Sequence, residues 1–81
     1  MNSETEKATI SYIYKGIQRA AHIDVVSEPG NPVHYWFKFK VRPAYFVKVD
    51  DEWIFAGDII SDELKAALIR GLELYINKKA L

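Results

Sequence analysis

The sequence predicts an α+β domain, a five-stranded antiparallel β-meander whose core face is covered by one C-terminal α-helix. Three observations carry this reading. Runs rich in Ile, Val, Tyr, Phe and Trp are separated by turn residues, and those runs alternate apolar and polar side chains with the period of a strand. After Ser61 the pattern changes to a helical period that no proline interrupts.

The elements follow in chain order. Residues 1–7 are polar and are expected as a disordered tail of a single domain spanning 1–81. A tight turn at Lys15-Gly16 sets Tyr14 opposite Ile17, Tyr12 opposite Arg19 and Ile10 opposite Ala21. The loop from Glu28 to Pro32 then sets Val25 opposite Tyr35, Ile23 opposite Phe37 and Ala21 opposite Phe39. A turn over Arg42 to Ala44 brings Phe39 to Val47 and Phe37 to Val49, and a loop of Asp50, Asp51 and Glu52 brings Val49 to Trp53 and Val47 to Phe55. Each pairing keeps the apolar set on one face, and a slip of one residue would scramble it. The misfit is Arg19, which falls on the core face near a sheet edge, where its stem can snorkel.

A rival reading exists for residues 5–21. Ser3 and Glu6 have capping-box spacing, and Ile10, Ile13, Ile17 and Ala21 recur near a helical period, which gives α-β-β-β-β-α. Thr9, Ile10, Tyr12, Ile13, Tyr14 and Gly16 are poor helix formers and favour the hairpin.

The C-terminal helix begins with Ser61 as N-cap and with Asp62 and Glu63 in its first turn, where the helix dipole favours acids. At 100° per residue, Leu64, Leu68, Ile69, Leu72, Tyr75 and Ile76 share one sector flanked by Ala67, Gly71 and Leu74. That sector spans roughly 220°, whereas one sheet contact needs about 100°. The surplus marks Ile69, Leu74 and Ile76 as a candidate helix-side interface.

Composition bounds the function. Lys plus Arg equals Asp plus Glu at 11 each in 81 residues, which removes any bulk attraction to nucleic acid or anionic membrane. The chain has no cysteine, so a disulfide or thiolate site is excluded. No signal-peptide pattern or membrane span is visible, and a cytoplasmic location is the expectation.

The inventory for catalysis is short. There is no glycine-rich phosphate loop, nucleophile elbow or H-E-x-x-H motif. His22, Asp24 and His34 share the outer sheet face, but three polar residues on a solvated face are the plainer account than a metal site. Asp50, Asp51, Glu52 and Asp58 read as turn acids that satisfy local amides. A ligand or enzyme pocket between sheet and helix, lined by Tyr12, Tyr14, Tyr35 and Tyr45, is a further alternative. No cofactor, metal or membrane partner is expected.

The stretch Val33 to Arg42 supplies the main candidate surface. Its outward side chains, with those of neighbouring strands, gather Trp36, Lys38, Lys40, Arg42, Phe46, Lys48 and Ile54. Cations interleaved with aromatic rings suit single-stranded nucleic acid, with phosphates on the cations and bases on the rings. The same face also carries Ile13, Ala20, Val26 and Ala56, too many apolar groups for a face that meets only water. The expected function is therefore a small non-enzymatic protein-interaction module that self-associates, with a homodimer as its commonest form.

Overall fold

The computed structural model describes residues 4–39, 44–57 and 60–79. Strands β1 (Glu4–Tyr14), β2 (Ile17–Ser27), β3 (His34–Phe37), β4 (Ala44–Val49) and β5 (Glu52–Gly57) pair antiparallel in the order β1-β2-β3-β4-β5, followed by α1 (Asp62–Lys79). The meander and its helix are as predicted, and the helical alternative for residues 5–21 gives way to the β1–β2 hairpin. Lys15 and Gly16 both take positive φ, 53° and 74°, the backbone of a two-residue hairpin turn. β1 already begins at Glu4, so residues 4–7 are strand rather than tail.

Register is as predicted in the first two pairings. Tyr12 faces Arg19, Ile10 faces Ala21, Ile23 faces Phe37 and Val25 faces Tyr35. It differs in the next two. Phe37 faces Ala44 rather than Val49, and Tyr35 faces Phe46. Val49 faces Glu52 rather than Trp53, while Phe46 faces Phe55. β4 is thus turned over relative to expectation, with Ala44, Phe46 and Lys48 inward and Tyr45, Val47 and Val49 outward. Two causes act together. Burying the Phe46 ring removes more apolar area from water than burying a valine. Asp50 and Asp51 both take positive φ, 49° and 66°, so the turn holds two residues instead of three and Glu52 joins the strand.

Phe37, Phe46, Ile23, Leu68 and Leu72 are fully enclosed between sheet and helix. Phe46 meets Phe37 edge-on at 5.7 Å between centroids and Phe55 at 5.2 Å, arrangements that suit the ring quadrupoles. No polar or charged residue is buried among the described residues, so the core carries no desolvation penalty of that kind. No helix of the described residues is long and apolar enough to cross a membrane.

Ser61 caps α1 as predicted. Its hydroxyl accepts from the Leu64 amide at 3.1 Å, and its carbonyl accepts from the Lys65 amide at 3.0 Å. The helix then lies antiparallel to β1, touching it most closely at Gly71. A Cβ at this position would stand 2.7 Å from the Ser11 carbonyl oxygen and 3.2 Å from side-chain atoms of Ile10 and Tyr12. From the other flank, Lys65 Nζ sits 4.8 Å from the centre of the Phe55 ring, and Trp53 Nε1 donates to Glu73 at 3.4 Å. The helix is therefore held from both the β1 and the β5 sides.

That embrace accounts for the wide apolar sector. Ile69 and Ile76, expected with Leu74 at a helix-side interface, are half-buried and pack against the core. Leu74 alone of the three is well exposed, at 65 %.

The close approach at Gly71 has a signed consequence. Helix propensity alone favours Gly71→Ala by about 1 kcal/mol. Overpacking against a backbone carbonyl costs about 1–3 kcal/mol and should win. Urea denaturation of G71A should show a lower midpoint than the parent chain, and a higher midpoint would rule out the contact.

Candidate interaction surface

Strand alternation sorts the side chains into an inner face toward α1 and an outer face that no described element covers. Two outer rows cross the sheet. One runs Val26, His34, Val47, Ile54, and the other runs Asp24, Trp36, Tyr45, Ala56. Trp36 is 45 % exposed and Ile54 is 51 % exposed. Trp36 packs on Tyr45 with centroids 5.2 Å apart and planes tilted by 41°, so the two rings form one apolar platform.

The charged part of this face lies on β1, β2 and the residue after β3. Asp24 stands between two lysines, with Oδ2 at 3.1 Å from Lys38 Nζ and Oδ1 at 3.7 Å from Lys7 Nζ. At the longer distance Lys7 supplies charge but no hydrogen bond, and Oδ1 is left without a hydrogen-bond partner. The hydrogen bond to Asp24 raises the Lys38 ammonium above its usual range. Alongside, the Thr9 hydroxyl and His22 Nδ1 are hydrogen-bonded at 3.1 Å. The depression among these groups is open and holds about 380 Å³.

The predicted surface residues therefore divide. Trp36, Lys38 and Ile54 lie on the outer face as expected. Phe46 does not, because the β4 register buries it completely in the core. Lys48 does not either. It points inward, pairs across the strands with Trp53, and places Nζ 5.4 Å from that ring's centre. Phe46 lies opposite Tyr35 on one side and Phe55 on the other. Lys40 and Arg42 lie outside the described residues, as does Asp58. In exchange the outer face gains Tyr45, Val47 and Val49, which sequence reasoning had assigned to the core side or to a pocket.

The polar groups considered for chemistry do not converge. Tyr35 is buried and Tyr45 is on the outer face, so the four tyrosines do not line one cavity. Asp50 and Asp51 form the β4–β5 turn. Among the described residues no group of three or more metal-ligating side chains comes together.

A second surface feature was not foreseen. The Lys38 amide donates to the His22 carbonyl at 3.1 Å, so the even-numbered residues of β2 turn their backbone groups toward β3. Odd-numbered β2 residues then bond to β1, and Thr9, Ser11 and Ile13 of β1 turn theirs to the open edge. A groove runs between that edge and α1. Ser11, Tyr12, Ile13, Ala67, Arg70 and Leu74 border its first part, of about 240 Å³. Toward the helix C-terminus it continues past Gly71 to Thr9, Tyr75, Lys78 and Lys79. The available clue was Gly71, whose missing side chain admits the strand edge to the helix surface.

Comparison with family models, with curated proteins and with solved structures finds no match.

At its far end the groove is tied by Lys79, which donates to Glu6 Oε1 together with Tyr75, whose hydroxyl lies 3.4 Å from the same oxygen. The Lys79 hydrogen bond and charge hold the Glu6 carboxyl below its ordinary pKa. A lowered folded-state pKa means that the stabilising contribution is present above the unfolded pKa and is lost as pH falls through the folded one. Glu6→Gln should therefore be less stable than the parent at neutral pH. The two denaturation midpoints should converge in acid, below the usual glutamate range, and a gap independent of pH would contradict the tie.

Proposed function

We propose that the protein is a small non-enzymatic interaction module that self-associates through the outer face of its sheet. One observation carries the reading. Val26, Trp36, Tyr45, Val47, Ile54 and Ala56 are cross-strand neighbours on a face that α1 does not cover. Contiguous apolar surface of this kind is stabilised by exclusion from water, and the rim of Lys7, Asp24 and Lys38 supplies polar cover at one side.

The single-stranded nucleic-acid reading loses support from the same register. Phe46 and Lys48 leave the outer face, and Asp24 lies between Lys7 and Lys38, the cations beside Trp36. Phosphate would have to compete with that carboxylate.

Two copies related by a two-fold axis would bring Trp36 and Ile54 of each face against the other. The patch reaches only from β2 to β5, about 15 Å at the usual strand spacing, which favours a modest affinity. Sedimentation velocity should show a dimer at tens of micromolar, the range expected for an interface of about 7 kcal/mol. Trp36→Lys combined with Ile54→Lys should sediment as a folded monomer at the same loading. A parent chain that stays monomeric, or a double variant that still dimerises, would refute the proposal.

A further inference from the structure

We propose that the groove between β1 and α1 is a docking site for an extended acidic segment of another protein that carries an apolar side chain. It shares no residue with the apolar patch on the sheet's outer face. Two exposed aliphatic residues border its first part, Leu74 at 65 % on α1 and Ile13 at 62 % on the edge strand, where alternation turns the Ile13 side chain toward the outer face. An apolar side chain seated against Leu74, which lines both parts of the groove, would cover surface that neither element of this chain covers.

The shape suits an extended segment. Ala67, Gly71, Leu74 and Lys78 recur at spacings of three and four residues, so they form one face of α1, about 16 Å long at the usual helical rise. Thr9 to Ile13 runs beside them for a similar distance, about 14 Å at the strand rise. Gly71 makes the floor low at the midpoint. The unpaired edge groups of Thr9 and Ile13, on either side of that floor, give an extended backbone something to bond.

Charge selects the occupant. The groove is lined by Arg70, Lys78 and Lys79, in a chain whose formal net charge is zero, and the one acid at its described end, Glu6, is already bonded to Lys79. Lys79 is engaged by Glu6, but among the described ion pairs neither Arg70 nor Lys78 has an acidic partner. Arg70 and Lys78 stand about 12 Å apart along the helix, so acidic residues on both sides of the apolar anchor can meet them. Acidic flanks would steer association and set direction, while the aliphatic anchor supplies most of the affinity.

The test is selection of a random heptapeptide phage library on the full-length protein, followed by fluorescence anisotropy with the selected peptides. The expected consensus places Asp or Glu on both sides of an aliphatic or aromatic residue. Arg70→Glu with Lys78→Glu should weaken binding at least about tenfold, as should Leu74→Asp. These residues are exposed, and circular dichroism should report unchanged folding. Enrichment of no sequence, or binding that survives the substitutions, would overturn the proposal. So would tighter, R70E/K78E-sensitive binding of an oligouridylate, because the cations would then serve phosphate.

Discussion

The contact on which the architecture depends is the meeting of Gly71 with the Ser11 carbonyl. A helix normally stands off a strand by the length of its side chains. Here the absence of a Cβ lets α1 approach the β1 edge at backbone distance. That approach sets the helix against β1 while Leu68 and Leu72 remain fully buried in the core. Lys65 and Glu73, on the other flank, can then meet Phe55 and Trp53. A small domain has little burial to spare, and using both flanks of one helix raises the buried share without lengthening the chain.

The same geometry decides what is left for partners. The inner face of the sheet is consumed by the helix. The helix flanks are consumed by β1 and β5, apart from Leu74 and its neighbours along the groove. No described element covers the outer face, and it carries the Trp36–Tyr45 platform with apolar β-branched neighbours. Contiguous apolar surface of that composition is the basis of the proposed self-association.

Much of the fold was legible because two hairpins were overdetermined. Lys15-Gly16 dictates a tight turn, and the alternation in β2 and β3 admits one register only. β4 was misread because Ala44, Tyr45, Phe46, Val47 and Val49 are apolar on both faces, so alternation carried no information there. Adjacent aspartates at positive φ then hid a two-residue turn, since aspartate tolerates the left-handed region without announcing it as glycine does. The candidate surface inherited that error. Trp36 and Lys38 were placed correctly from β3, whereas Phe46 and Lys48 were placed on the wrong face with their strand. The groove was not legible at all, because a glycine inside a helical pattern does not reveal which strand it admits.

The proposed self-association brings copies of the protein together through the outer face bearing Trp36, and not through the helix or the groove. Its two tryptophans separate these cases, because Trp36 is on the outer face and Trp53 is on the inner one. A dilution series of nitrogen–proton correlation spectra observes both indole resonances directly. The Trp36 indole should shift with protein concentration while the Trp53 indole stays fixed. A fixed Trp36 resonance, with concentration-dependent shifts confined to Trp53 or to α1, would contradict it.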